Sequence, residues 1–337
     1  MIRAGINGLG RIGRLALFAM MNDPDFEVVA INDLTKIASV AHLLKYDSIH
    51  GRLFNDVQPT DDGIILDGRY VAGLYDREVS NLNWGERGVD VVIEASGKLT
   101  DGEKARAHLS AGAKKVILTA PGKNIDATFV IGVNEDTYDP VLHNIVSNAS
   151  CTTNCLAPLV KVLHDEFGIV RGFMNTVHAY TNDQNILDGS HKDLRRARAA
   201  AMSIIPTTTG AAKAVAEVLP ELKGRLDGFA TRVPTPDGSM VDLTVELARE
   251  VTVEEINESM RTAANSSLAG IMEYCTDPIV SVDVIGNLHS CIFDAGLTMV
   301  LGDRGSLVKC VAWYDNERAY AYRVVDLARI MLGGMNQ

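Results

Sequence analysis

The sequence predicts an α/β protein built from two modules in tandem. Three observations carry this. An apolar strand, a glycine-rich turn, a helix and a second strand follow one another from the first residue. Strand and helix patterns then alternate for more than a hundred further residues, the order expected of a parallel sheet with crossover helices. A polar, cysteine-bearing run at residues 147–155 ends that alternation, and a different arrangement of strands and helices follows.

Size and composition bound the possibilities. A chain of 337 residues with 47% hydrophobic content can bury a large core and form two domains. A formal net charge of -11 argues against a general nucleic-acid surface. No apolar run is long enough to suggest membrane insertion, and the immediate entry into strand and glycine turn predicts no secretory signal. Five cysteines, at 151, 155, 275, 291 and 310, suit neither a disulfide framework nor a metal site. The expectation is a reduced cytoplasmic setting with no metal.

In the first module, Ile2, Ala4 and Ile6 begin a strand. Gly8-Leu9-Gly10-Arg11-Ile12-Gly13 follows, with Leu15, Ala16, Phe18 and Ala19 on the next helix. Residues 27–31 read as a second strand ending at Asn32-Asp33. Gly8, Gly10 and Gly13 allow a pyrophosphate to approach the backbone, and the helix N-terminus stabilises its charge. Asp33 can accept hydrogen bonds from an adenosine ribose diol and repels a 2'-phosphate, which favours NAD over NADP. The fingerprint alone leaves FAD open.

Residues 50–70 carry Gly and Asp turns between short apolar segments and read as a small hairpin region. Residues 89–94 form a buried strand followed by Ala95-Ser96-Gly97-Lys98. A helix at 103–111, a strand at 115–118, a turn from Thr119 to Gly122 and a strand at 129–133 complete the module. Loops at the carboxyl ends of parallel strands face the ligand crevice. Ser96, Gly97 and Thr119 are therefore candidate cofactor contacts, although ordinary turns account for them almost as well.

The run from Ser147 to Cys155 caps a helix whose apolar residues Leu156, Val160, Leu163 and Phe167 define one buried face. Cys151 falls in its first turn, where unpaired N–H groups and the helix dipole favour a thiolate. Cys155 suits helix packing. Residues 172–177 form a strand that delivers His178, which can relay a proton or hold a thiolate as an ion pair. His108 and His164 lie on helix patterns and read as structural.

Residues 182–201 form a polar loop that turns basic from His191 to Arg198. It suits a solvated or interface segment, or an anionic substrate whose phosphate oxygens guanidinium groups match. The hydroxyl and glycine array Thr207-Thr208-Thr209-Gly210, ahead of a helix at 211–219, is a second phosphate cradle. Arg232 adds a cation after an apolar segment. A strand at 241–247, a helix at 253–264 and a strand at 307–314 ending near Asn316 follow. The last helix, with Val324, Val325, Leu327 and Ile330, is expected to pack back on the first module.

Through residues 6–13, 147–155, 193–199, 204–212, 232–236 and 313–317, the chain resembles phosphorylating glyceraldehyde-3-phosphate dehydrogenases over essentially its whole length. The resemblance implies an N-terminal Rossmann domain over 1–150, an α+β mixed-sheet catalytic and oligomerisation domain over 151–315, and a C-terminal helix over 316–337 returning to the first. It implies a cytoplasmic homotetramer of glycolysis or gluconeogenesis, with the loop at 181–203 at the subunit interface and neighbouring cofactor pocket. Cys151 matches the nucleophile, and His178 the base and thiolate partner. Asn7, Arg11, Ile12 and Asp33 match cofactor contacts, and Asn316 the contact to the nicotinamide carboxamide. Thr181 and Arg232 match contacts to the C3 phosphate of glyceraldehyde 3-phosphate. Ser150, Thr152, Thr209 and Gly210 match the inorganic-phosphate site, with Arg196 in the same region.

Two departures modify these expectations. Gly189-Ser190 stands where many NAD-specific relatives have Leu-Pro, and Ser190 can hydrogen-bond a 2'-phosphate, which partly offsets the discrimination by Asp33 and leaves secondary NADP use open. Arg318-Ala319 replaces Trp-Gly of common relatives, putting charge for aromatic packing beside the cofactor region. The alternatives are an erythrose-4-phosphate dehydrogenase, which hydrolyses its thioester, and a fold-retaining adhesin or RNA-binding protein. Thr209-Gly210 favours the phosphorylating reaction over the first. The acidic balance disfavours the second.

Overall fold

The computed structural model describes residues 1–333. The chain divides into two compact units: Met1–Ser150 with the segment from Tyr320 onward, and Cys151–Ala319.

The first unit runs β1 (Ile2–Asn7), α1 (Arg11–Met21), β2 (Phe26–Asn32), α2 (Ile37–Lys45), β3 (Val57–Pro59), β4 (Gly63–Leu66), β5 (Arg69–Leu74), β6 (Val91–Glu94), α3 (Gly102–Ser110), β7 (Lys115–Leu118), β8 (Ala127–Thr128) and β9 (Ile145–Ser147). Its sheet has the order β3-β4-β5-β2-β1-β6-β7-β9-β8 among the described residues. Strands β5, β2, β1, β6, β7 and β9 are mutually parallel. Val91, Val92, Ile93, Val116 and Ile117 are fully buried, as befits strands covered on both faces. The chain steps from β1 through β2 to β5, then returns to β6 on the other side of β1. This reversal opens a crevice at the carboxyl ends of β1 and β6, the topology of a Rossmann dinucleotide fold. Residues 57–74 add the antiparallel β3-β4-β5 extension, where a hairpin region was expected.

One close approach sets the crevice. Gly8 has φ +98°, and a Cβ there would lie 2.5 Å from the backbone of Ser96. The loops leaving β1 and β6 therefore touch, and only glycine permits it.

The strand expected at 129–133 is not formed. Only Ala127 and Thr128 pair, and the chain turns from residue 131. Asn134 explains the stop: its Oδ1 accepts from Val130 N at 2.9 Å and its Nδ2 donates to Thr128 O at 3.0 Å. Local side-chain bonds replace ladder bonds here. Phe129 and Val130 are buried nonetheless, so the apolar run serves packing.

The second unit runs α4 (Cys151–Phe167), β10 (Ile169–Ala179), β11 (Ile205–Thr207), α5 (Ala211–Val218), β12 (Leu226–Val233), β13 (Ser239–Val251), α6 (Val253–Ala264), β14 (Met272–Cys275), β15 (Cys291–Asp294), β16 (Met299–Val300) and β17 (Gly305–Tyr314). Its mixed sheet has the order β11-β12-β10-β13-β17-β15-β14, with β16 on β17. Strand β10 lies parallel to β12 and antiparallel to β13. Residues 152–160 of α4 are buried without a break, so the helix that begins at Cys151 is held by the core. Thr252 caps α6 through a reciprocal box with Glu255.

The last helix, α7, spans Arg318–Gly333. From Tyr320 it belongs to the first unit, where Tyr138 Oη donates to Met331 O at 3.2 Å and Arg329 pairs with Asp23. Residues 334–337 of the expected returning segment lie outside the described residues. Among the described residues, no helix is long and apolar enough to cross a membrane.

Candidate active site

The second unit brings Cys151, His178, Thr181 and Arg232 together. Cys151 is the first residue of α4, and His178 is the penultimate residue of β10. Cys151 Sγ lies 3.5 Å from His178 Nε2. Arg232 stands opposite His178 in the parallel β10–β12 register. Its Nη1 lies 2.9 Å from His178 Nδ1, donates to Ala179 O at 2.9 Å and reaches Thr181 Oγ1 at 3.4 Å. Its buried Nε has no hydrogen-bond partner among the described residues.

Burial disfavours the charged form of both reactive groups. It pushes the Cys151 thiol up and the His178 imidazole down. Arg232 then acts oppositely on the two: it stabilises a thiolate and opposes an imidazolium. The helix position alone suggested a thiolate, and burial works against it. His178 Nδ1 also lies 2.7 Å from Ala179 O, and the neutral tautomer that donates its proton there leaves Nε2, facing the sulfur, as a competent proton acceptor.

The other phosphate candidates are more dispersed in their bonding. Thr152 Oγ1 is turned inward to Tyr314 Oη at 2.8 Å. Arg196 Nε donates to Thr207 Oγ1 at 2.8 Å, its Nη2 donates to Thr208 O at 3.1 Å, and its Nη1 pairs with Asp183. Thr209 Oγ1 accepts from Ala211 N at 3.2 Å, and Gly210 begins α5 without a side-chain cap. Ser150 is half-buried at the end of the first unit. It follows Ala149, whose φ of +56° lies in the left-handed region. Ser147 Oγ accepts from Ala149 N at 2.9 Å, and Tyr320 Oη donates to Ala149 O at 3.0 Å. These two bonds hold a conformation that alanine rarely adopts.

The first unit presents the cofactor candidates around its crevice. Gly10 caps α1 with no side chain, and the first turn of that helix carries no acid. Asp33 Oδ2 accepts from Leu9 N at 2.6 Å, and its Oδ1 accepts from Thr35 N at 2.7 Å. Asn7 Nδ2 donates to Glu94 Oε2 at 2.6 Å. Arg11 is paired with Asp47, while Ile12 and Gly13 continue the first turn. Ser96 is held by Glu94, Gly97 has φ +69°, and Thr119 N and Oγ1 both donate to Glu94 O. In the second unit, Asn316 Oδ1 accepts from Ser239 Oγ at 2.6 Å.

Sequence reasoning missed Tyr314, Tyr320 and Glu94. Tyr314 holds Thr152, Tyr320 holds Ala149 beside Ser150, and Glu94 holds Asn7, each across a large sequence distance. Tyr314 lies at the end of a strand whose alternation marks it as core, and nothing local announces its bond to Thr152. Only Glu94 had a signal, as an acid ending an apolar strand just before Ser96-Gly97.

A Rossmann-type crevice and a close cysteine–histidine pair point to a class: NAD-dependent oxidoreductases. Comparison with known proteins narrows it. Residues 2–102 match the model for the glyceraldehyde 3-phosphate dehydrogenase NAD binding domain, and residues 150–316 match the model for its C-terminal domain. The chain is 59% identical over 327 residues to glyceraldehyde-3-phosphate dehydrogenase of Geobacillus stearothermophilus, covering 97% of each. It is 55% identical over 327 residues to glyceraldehyde-3-phosphate dehydrogenase 1 of Bacillus subtilis, again covering 97% of each. The chain belongs to the glyceraldehyde-3-phosphate dehydrogenase family.

Proposed function

We propose that the protein oxidises glyceraldehyde 3-phosphate to 1,3-bisphosphoglycerate, with NAD as oxidant and inorganic phosphate as acyl acceptor. The observation that carries this is the cluster of Cys151, His178 and Arg232 on α4, β10 and β12. Cys151 Sγ attacks the aldehyde carbon, and the resulting hemithioacetal hydroxyl gives its proton to His178 Nε2. NAD, when bound, supplies the hydride acceptor for that oxidation. The product on Cys151 is a thioester, which retains the oxidation energy in a reactive acyl group. Attack by inorganic phosphate restores the thiol. The Cys151 N–H and His178 stabilise negative charge developing on the substrate oxygen.

The first unit fits NAD. Its glycine loop leaves β1 at the sheet reversal, and α1 opens on an uncapped Gly10, which suits a pyrophosphate. Asn7, Gly8, Gly10, Arg11, Ile12, Gly13, Ser96, Gly97 and Thr119 would line that cofactor, with Asp33 at the adenosine ribose and Asn316 at the carboxamide. Residues 1–150 form the NAD-binding domain, 151–315 the catalytic domain, and 316–337 the returning helix. NADP is a secondary cofactor through Ser190.

Arg232, with its unpartnered buried Nε, and Thr181 bind the C3 phosphate. Ser150, Thr152, Thr209, Gly210 and Arg196 serve inorganic phosphate. The protein works as a cytoplasmic homotetramer. Phe173 and Phe229, on neighbouring strands, are 73% and 49% exposed, and that apolar surface supports a subunit contact. Five free cysteines support a reducing compartment.

The test is a steady-state assay of the purified protein with glyceraldehyde 3-phosphate, comparing NAD and NADP, each with and without inorganic phosphate. Phosphate-dependent NADH formation is expected. Phosphate-independent acid formation would replace this reading with a hydrolysing relative.

A further inference from the structure

Glu94 is a buried, closely bonded ionisable group that this chemistry leaves unused. It ends β6, and its side chain is 2% exposed. Four donors converge on its carboxylate. Oε1 accepts from Ser96 N at 2.8 Å and Ser96 Oγ at 2.5 Å. Oε2 accepts from Asn7 Nδ2 at 2.6 Å and contacts His108 Nε2 at 2.9 Å. His108, on α3, has a fully buried side chain.

The hydrogen positions follow from the partners. Trp84 Nε1 lies 3.0 Å from His108 Nδ1, and an indole N–H can only donate. His108 Nδ1 is therefore the acceptor, and the imidazole proton sits on Nε2, pointed at Glu94. Asn7 is fixed as firmly. Asn32 Nδ2 donates to Asn7 Oδ1 at 2.8 Å, while Asn32 exchanges bonds with the backbone of Asp76 in both directions. The chain of bonds thus joins α3, β6, β1, β2 and the loop after β5, and it ends on two residues of the crevice.

We infer that Glu94 is a positioning residue for the dinucleotide pocket, set in place by His108 and Trp84. One carboxylate holds both walls of the crevice. Through Oε1 it shapes the Ser96-Gly97 loop, and through Oε2 it turns the Asn7 amide so that its second N–H remains for a ligand. A buried carboxylate with four donors is a fixed clamp, because moving any wall strands a charge or a donor away from water. His108 therefore does more than fill the core. The inference rests on the reading that the first unit binds NAD.

Glu94→Gln tests it. An amide has one acceptor oxygen, so its N–H groups must face either the Ser96 donors or the Asn7 and His108 donors. Calorimetric affinity for NAD is expected to fall by on the order of tenfold, with KM for NAD rising in step. Turnover at saturating NAD is expected to stay within about twofold of wild type, because Cys151 and His178 are untouched. Trp84→Phe, which removes the indole donor together with part of a buried ring, should move KM for NAD in the same direction by less, and it carries the test if Glu94→Gln does not fold. Loss of thermal stability with unchanged NAD affinity overturns the assignment, as does an equal rise in KM for the aldehyde. Calorimetry needs no turnover, so failure of the proposed reaction and failure of this assignment are told apart.

Discussion

Arg232 stands directly across the parallel β10–β12 ladder from His178, with Nη1 2.9 Å from Nδ1. The imidazole thus has a fixed cation at one nitrogen and the Cys151 sulfur at the other. Ladder register, rather than a flexible loop, sets the spacing between base and guanidinium. A group that binds Arg232 is thereby brought within reach of the sulfur, which is what a substrate carrying both phosphate and aldehyde requires.

Cys151→Ala removes the sulfur proposed to carry the acyl group. Turnover is expected to fall by at least about a thousandfold, since the sulfur proposed to form the thioester is gone. NAD affinity, measured by calorimetry, should stay near wild type because the crevice residues lie in the first unit. Appreciable residual dehydrogenase activity would show that a different nucleophile operates.

Arg232→Ala should separate substrate from cofactor. Lost charge-assisted hydrogen bonds predict a fall of about 10- to 100-fold in kcat/KM for glyceraldehyde 3-phosphate. Affinity for NAD should hardly change. The diagnostic quantity is the preference for the phosphorylated aldehyde over free glyceraldehyde, which should collapse. A preference that survives the substitution would place the C3 phosphate elsewhere.

Tyr314→Phe probes the support beneath the centre. The Tyr314 hydroxyl lies 2.8 Å from Thr152 Oγ1 and 2.8 Å from Thr176 Oγ1, all three groups being buried. Burial pushes the phenol well up, so it keeps its proton and can donate to one threonine while accepting from the other. Phenylalanine preserves the ring edge-on to His178, whose centroid is 5.9 Å away, but strands both threonine hydroxyls. Urea unfolding should show a loss of about 1–3 kcal/mol. Equal stability would mean that water or rotation satisfies those hydroxyls.

The candidate residues were legible because they interrupt strong local patterns. Cys151 follows a polar cap, His178 ends an apolar strand, and Gly8 to Gly13 sit between a strand and a helix. Their supports were not legible, because each acts across a large sequence distance. Tyr314 meets Thr152 only once β17 and α4 pack in one unit, and His108 meets Glu94 only when α3 covers β6. The apolar run at 129–133 misled for a related reason. Periodicity reported its burial, but the amide of Asn134 decided its backbone path. Short strands such as β9 and β11, three residues each, are too brief for any period to register.

Asp33 carries two tasks that substitution can separate. Its carboxylate braces the glycine loop through Leu9 N and its own turn through Thr35 N, and its charge faces the proposed adenosine ribose. Asp33→Asn keeps one acceptor and removes the charge. The ratio of kcat/KM for NAD to that for NADP should then fall by on the order of tenfold, because a 2'-phosphate no longer meets a like charge. Asp33→Ala removes both acceptors and should weaken both cofactors together by loosening the loop. If Asp33→Asn leaves the ratio unchanged while Asp33→Ala weakens both cofactors, Asp33 is only a loop brace, and cofactor choice must rest on residues such as Ser190.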